Sequence, residues 1–484
     1  MPTLYKTPGV YIEEIPKLPP SVAAVETAIP AFIGYTEKAE QQTPDDLKLK
    51  PTWINSMLEY ETFFGKPQPE TAIKVSITEA QNNGVTLSSK AIASLEESAR
   101  SKHIMYYALQ MFFSNGGGPC YIVSVGGYKS LAGDLLQSEL KAGLDALENA
   151  DEPTLIVFPE AQFLSIADFS SLHNEALSQC AERKDRFVIM DIHGGVEGEE
   201  STPLSLSDSG TNLLTAVRNF RTSGIGTNNL NYGAAYAPNL ETILDFVIDE
   251  SMIDVTRTIN GTAEAPIRLS GLAETSNSLY EAAKAAIRAL PCKLPPSSSM
   301  AGIYASIDNS RGVWKAPANV SINNIIKPTI EFSSIVQDEM NVDPGSGKSV
   351  NAIRTFTGKG TLVWGARTLA GNDNEWRYIN VRRLFIFIEE SVKKASEPFV
   401  FEPNDANTWV RVQAMVENFL SVLWRQGALQ GVKPEHAFYV AVGLGKTMTS
   451  EDILNGKMII EIGLAAVRPA EFIILRFSHK MAES

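Results

Sequence analysis

The chain has 484 residues, 44% of them hydrophobic, enough to bury a large core spread over roughly two to four domains. Its formal charge of −14 excludes a general nucleic-acid coat, which needs Lys and Arg in excess over acid. Cys120, Cys180 and Cys292 lie far apart without a CxxC pair, so neither a disulfide framework nor a zinc site is expected, and assembly in a reducing compartment fits.

In chain order, Thr7-Pro8-Gly9 opens a short strand, Val10–Ile15, with Val10, Tyr11, Ile12 and Glu13 at its centre; Pro16, Pro19 and Pro20 then isolate it. Proline on both sides blocks extension into a local sheet, and a Pro-rich linker is stiff and extended. Residues 16–25 reach roughly 30 Å at about 3.3 Å per residue. Such a tethered strand suits pairing with another subunit's sheet edge; an arm folded back on its own domain is the alternative. No basic region followed by an apolar stretch opens the chain, and no 18 apolar residues run uninterrupted. Neither a signal peptide nor direct membrane insertion is expected.

A strand over Ile29–Tyr35 precedes a polar stretch, Glu37–Lys50, and an irregular one, Pro67–Lys90, both read as loops or surface insertions. Helical and strand periods then alternate: helix His103–Ser114, strand Cys120–Val125, helix Leu131–Asn149, strand Thr154–Phe158, helix Asp168–Arg183, strand Arg186–Asp191, helix Thr211–Thr222, strand Tyr232–Ala237. This predicts a mixed α/β fold with a largely parallel sheet under covering helices. Gly194–Gly210 reads as a surface loop, and helices Glu274–Leu290 and Ser298–Asn309 follow, broken by Pro291, Pro295 and Pro296.

The block Gly358–Ser391 carries much specified surface and no catalytic pattern. Thr361–Gly365 is a short strand run, and Ala370-Gly371-Asn372-Asp373-Asn374 is a turn. Beyond it Tyr378, Val381, Phe385, Ile388 and Val392 recur at steps of three and four on one helical face. Leu384–Ile388 is apolar all round, which marks a helix buried on several sides or a core strand. Arg367, Arg377, Arg382 and Arg383 crowd the block and are candidates for inter-subunit contacts, since guanidinium offers planar, multi-donor bonds; an ordinary arginine-decorated surface is the other reading. From Gly358 onward there are 15 basic and 14 acidic residues, so the C-terminal quarter is basic relative to the rest and suits an acidic partner. Helix Asp405–Gln426 presents Trp409, Val412, Val416, Phe419 and Leu423 on one face, followed by strands His436–Val442 and Met458–Val467 around a capped turn at Thr449–Asn455. A last apolar run, Glu471–Phe477, can serve as an edge strand.

Gly345-Ser346-Gly347-Lys348-Ser349 and Gly443-Leu444-Gly445-Lys446-Thr447 look like ends of phosphate-binding loops, the alternative being a nucleotide hydrolase. That motif needs a further glycine where Val342 and Val440 stand, which disfavours it. Five histidines show no metal-ligand spacing and no GxSxG elbow exists. Asp191 beside His193 sits at a strand end, where α/β active sites form, but a polar loop start explains it equally. No cofactor, metal or catalytic residue is expected.

TPGVYIEE at Thr7–Glu14, IPAFIGYTE at Ile29–Glu37, FFSNGGGPCYIVSV at Phe112–Val125 and DNSRGVWKAPAN at Asp308–Asn319 resemble the tail sheath family of contractile phages. FEPND, LWRQGALQG, VGLGKTMT and AVRPAEFIILRF extend the resemblance to the C-terminus; DNEWRYINVRRLFIFIEES and the compact length are most similar to sheaths of phage tail-like extracellular contractile injection systems. The resemblance implies a non-enzymatic structural protein that forms stacked six-subunit rings around an inner tube and contracts from a metastable extended state. It implies an inner sheath domain built from an arm and linker (1–28) and the C-terminal quarter (354–484), with an outer α/β domain (29–353) inserted. Arms exchanging strands between neighbours would use Val10, Tyr11, Ile12 and Glu13 at one end and Phe472, Ile473, Ile474 and Leu475 at the other. Arg411, Arg425, Lys446 and Lys457 become candidates for a tube-facing surface. The implied partners are further copies of the chain, the tube protein, baseplate and terminal cap proteins, with paralogous sheath subunits as an option, and no nucleic acid. Assembly in the bacterial cytoplasm and a final place in a phage tail-like particle follow from the same likeness.

Overall fold

A computed structural model describes residues 22–83, 85–130, 135–193 and 213–474. They fall into two compact units, one of residues 22–25 with 388–467, the other of 26–387 with 468–474.

The larger unit is organised by a nine-stranded sheet. In chain order to Ala237 the strands of the unit are β1 (Pro30–Thr36), β2 (Thr52–Ile54), β3 (Lys74–Asn82), β4 (Val85–Ser94), β5 (Cys120–Gly127), β6 (Leu155–Val157), β7 (Phe187–Asp191) and β8 (Gly233–Ala237), of which β3 and β4 belong to a second sheet. The sheet runs Val320–Ser321, Gly360–Val363, Val350–Phe356, β8, β7, β6, β1, β5, β2. Pairing is parallel from Val350–Phe356 through to β5, and antiparallel at both margins. Strands such as β1, β6 and β7 are apolar runs buried along their whole length, as parallel strands covered on both faces must be.

The two coverings can be read at β1. A Cβ on Gly143 of the helix Gln137–Ala146 would lie 2.5 Å from Ile33 Cγ2, and one on Gly34 would lie 2.7 Å from Met105 Cε of the helix Met105–Ser114. Successive strand residues point to opposite faces, so the two helices lie on opposite sides of the sheet. The first packs on the helix Ile166–Arg183, the second on the helix Ser297–Arg311. The alternation expected over 103–237 is thus present, with shorter helices except Ile166–Arg183, which starts two residues earlier than expected; Leu131 and Thr211 lie outside the described residues, as does the loop 194–210. Leu213–Asn219 runs on into a wider turn, Phe220–Gly224.

The stretch Pro67–Lys90, expected to be irregular, instead holds β3 and most of β4, a hairpin that joins Asp254–Ile259 in a second sheet. Val75, Ile77 and Glu79 of β3 are buried in alternation; Val75 and Ile77 pack with Ile253, Val255, Leu272, Ala283 and Ile287 in a small core of its own, while Glu79 pairs with Arg257. The Asn83-Gly84 dipeptide is the usual two-residue hairpin signal, and Asn83 takes a φ of 51°. Glu274–Leu290, expected as one helix, is two, Leu269–Thr275 and Asn277–Arg288, parted at Ser276, whose φ of −158° is extended.

In the smaller unit the helix Ala406–Arg425 starts on Asp405, whose carboxylate accepts from Thr408 N–H, and buries Val412, Met415, Val416, Phe419, Leu420 and Leu423. It packs on Phe438–Val442, which pairs antiparallel with Ile460–Leu464. A capping box of Thr449 and Asp452 starts the short helix between these strands. Leu384–Ile388 is helical, inside Ile379–Ser396, and all but Phe385 of it is buried.

Candidate assembly interface

The arginine-rich block was expected to face neighbouring subunits, and the structure instead places most of its guanidinium groups inside the larger unit. Arg367 is 3% exposed and grips Glu471 with two forks, Nε to Oε1 at 2.9 Å and Nη2 to Oε2 at 2.7 Å. Asn341 Nδ2 donates to the same carboxylate at 2.6 Å and Tyr378 OH at 3.1 Å. Arg382 lies between the rings of Tyr232 and Trp376, 4.6 Å from each centroid. Arg383 pairs with buried Asp308 at 2.5 Å and donates to the Thr27 carbonyl at 2.8 Å, while Thr27 Oγ1 donates to Asp308 at 2.6 Å. Arg377, half-buried, donates to Asn374. For Arg367, Arg382 and Arg383 the inter-subunit reading gives way: a buried guanidinium must find its partners within its own fold.

Two of these groups act at the roots of the chain ends. Arg383 fastens Thr27, shortly after the N-terminal tether, and Arg367 fastens Glu471, directly before Phe472, Ile473 and Ile474, which are 69%, 78% and 76% exposed and form no strand. In the smaller unit Val25 N–H donates to Ser391 Oγ at 3.2 Å. Val10, Tyr11, Ile12, Glu13 and Leu475 lie outside the described residues. No sequence pattern pairs Arg367 with a carboxylate 104 residues away; the crowding of arginines was the available signal, and it did not say which way they point.

Arg411, Arg425, Lys446 and Lys457 are all exposed. Arg411 approaches Glu402 at 3.9 Å and lies over Phe399. The Lys457 carbonyl accepts from Asn404 Nδ2, which places Lys457 beside the start of the helix Ala406–Arg425; Arg425 ends that helix, about 30 Å on. The ribbon of Phe438–Val442 and Ile460–Leu464 contains two strands, and among the described residues neither has another strand on its outer edge. Two strands alone are marginal in water.

The phosphate-loop look-alikes are turns. Lys348 is buried, its Nζ donating to the carbonyls of Arg221 and Ile225, while Arg221 Nε donates back to the Lys348 carbonyl. Gly443 and Gly445 have φ of 142° and 74°, a tight turn closed by Gly445 N–H on the Met448 carbonyl. Where an α/β sheet of this order would hold a ligand, beyond the ends of β1 and β6, buried Glu160 and His103 fill the space. Glu160 Oε2 accepts from Tyr35 N–H at 3.0 Å, and His103 Nε2 accepts from Lys129 N–H at 2.8 Å. Among the described residues no cluster of His, Cys, Asp or Glu fit for a metal ion occurs, and no helix is long and apolar enough to cross a membrane.

Asp191 and His193 have separate partners, Ser297 N–H at 2.8 Å and the Leu164 carbonyl at 2.8 Å. Burial pushes the Asp191 carboxyl from 3.8 up to about 7, against the opposing bond from Ser297. The folded chain therefore holds this proton more tightly than the unfolded one, and its contribution to stability falls as pH rises between those values. Asp191→Asn keeps the acceptor for Ser297 and removes the buried charge. Denaturant melts should show it more stable than the parent at pH 8, by at most about 4 kcal/mol, and equal to it at pH 3; loss of stability at pH 8 would refute the assignment.

The described residues thus define a doubly wound α/β unit in which Arg383 and Arg367 fasten Thr27 and Glu471, joined in sequence to a unit with a two-stranded ribbon. Residues 371–480 match the phage tail sheath C-terminal domain. The chain is 29% identical over 118 residues to the tail sheath protein of Enterobacteria phage T4, a match covering 24% of this chain and 17% of that protein, so it spans about a sixth of that curated relative. Among solved structures, the sheath complex of an extracellular contractile injection system, PVC, in its contracted state is 30% identical, with a TM-score of 0.64 over 99% of both chains. The helical sheath of the anti-feeding prophage (AFP), also contracted, is 31% identical, with a TM-score of 0.61 over 99% of this chain and 100% of that one. The chain belongs to the contractile tail sheath family.

Proposed function

We propose that this chain is a non-enzymatic sheath subunit that polymerises as stacked six-subunit rings around an inner tube and contracts to drive that tube through a target envelope. The observation that carries the proposal is the two-stranded ribbon, which among the described residues has no further strand on either edge and only a single bridge, Leu429 to Ala466, at its end, in a chain whose sequence offers a detached strand at each end. Strand addition from neighbouring copies completes such a ribbon: Val10 to Glu13 from one and Phe472 to Leu475 from another. The inner domain is then composite, residues 1–28 with 354–484, and the 29–353 domain faces outward. Contraction is a passage between two packings of one polymer, triggered at a baseplate and requiring no nucleotide. Arg411, Arg425, Lys446 and Lys457, exposed on the relatively basic C-terminal quarter, suit an acidic tube.

Negative-stain images of the purified chain should show rings or tubes, and calorimetry should show no stoichiometric ATP binding. Arg425→Glu or Lys446→Glu should reduce assembly on purified tubes while sparing self-assembly. Dispersed particles that bind ATP one to one would defeat the sheath reading, and equal loss in both assembly assays would remove the tube-facing role.

A further inference from the structure

Phe401 is 102% exposed and holds a φ of 71°, a left-handed backbone that strains a bulky side chain. Neither feature is repaid within the smaller unit: Phe399 fills the core beneath, and Val400, beside the knob, is 62% exposed. The knob is firmly built, however. Glu402 N–H donates to the Phe399 carbonyl, and Trp409 Nε1 donates to Asn404 Oδ1 at 2.7 Å, fixing the loop to the start of the helix Ala406–Arg425. Its flanks are acidic, with Glu397 and Glu402 exposed and Arg411 approaching Glu402 from one side.

The other end of the same helix carries the complement. Trp424 Nε1 donates to the Gly431 carbonyl at 2.9 Å, which ties Val432 and Lys433 to the helix end; Val432 is 90% exposed and Lys433 is exposed beside it. The helix is about 30 Å long, so an apolar knob with an acidic rim and an apolar spot with a basic neighbour stand at opposite ends of one rod.

We propose that the Phe401 knob of one copy docks on the Val432–Lys433 end of the next, a head-to-tail contact repeated from copy to copy. The proposal rests on the sheath reading and gives it a specific joint, distinct from the exchanged strands. The occupant is a second copy because the two surfaces match in polarity and charge, acid against base, and because contacts at opposite ends of a rod propagate.

The test uses the full chain. Phe401→Gly removes the knob and takes the left-handed backbone without strain, so its melting temperature should equal or exceed the parent's while the concentration needed for polymer formation rises at least tenfold. Glu402→Lys and Lys433→Glu should each raise that concentration, and the two together should bring it back toward the parent value. Polymers from Phe401→Gly at the parent concentration, or a double variant no better than its singles, overturn this joint alone. Normal self-assembly of Phe401→Gly with failure to load on tubes also overturns it, assigning the knob to the tube. A parent chain that never polymerises overturns the sheath reading and this joint together.

Discussion

Deleting residues 1–20 should leave a folded, soluble chain with the parent's circular dichroism and melting temperature, and should lower the yield of rings and tubes at least tenfold. The strand expected at Val10–Ile15 lies between prolines in the sequence and would lose ladder bonds in a local sheet, whereas Val25 and Thr27 beyond it are bonded within their own units. The strand's proposed role is to pair with a neighbouring copy, so its removal is expected to leave the described fold intact. An exchanged strand of this length forms about five backbone hydrogen bonds, each worth roughly 0.5 to 1.5 kcal/mol net, so each missing arm weakens a contact between copies by about 3 to 7 kcal/mol. Added to the full chain, the truncated one should shorten the tubes, since a copy lacking its arm can be joined but cannot join onward. Long tubes from the truncated chain alone would refute strand exchange at this end.

At the other end, Arg367→Met should release the C-terminal root. The substitution strands the Glu471 carboxylate, 19% exposed, with Asn341 and Tyr378 as its remaining partners, and breaking a largely buried pair from one side costs about 3 to 5 kcal/mol. Denaturant melts should show that loss of stability in the larger unit, with tube formation lost and the fold retained under native conditions. Glu471→Gln should do less, because it keeps an acceptor. Burial pushes the Glu471 carboxyl up, but the bonds from Arg367, Asn341 and Tyr378 outweigh it and hold the group below its ordinary 4.5. The anchor is therefore at full strength above that value and weakens as pH falls through the lower folded one. The parent's stability should fall across that acid range, and the part of the fall that comes from this carboxylate should be absent in Glu471→Gln. Unchanged stability in Arg367→Met would show that the root is held by something else.

The α/β alternation from 103 to 237 was legible because each element has one clear period, and β1, β6 and β7 are apolar runs of strand length. The amphipathic face of the helix Ala406–Arg425 was legible for the same reason. β4 was not: VTLSSKAIAS is an edge strand with most residues exposed, so burial imposes little alternation on it. The arginines show a different limit. Local sequence showed a cluster of cations but not Asp308 and Glu471, 75 and 104 residues away, and without those partners a buried anchor and a surface contact read alike. Phe401 was hidden too, since φ is set by the turn that precedes the helix and an exposed aromatic has no period.

Thr27 and Glu471 are held by Arg383 and Arg367, and these two arginines are separated by about sixteen residues of one continuous segment. If both chain ends are tied to neighbours, tension entering at one end leaves at the other through that short path, which crosses only the first turns of the helix Ile379–Ser396 and no strand of the sheet. The large α/β domain is then carried along as a passenger, which leaves its exposed loops and the β3–β4 hairpin free to diverge without altering how the polymer transmits force.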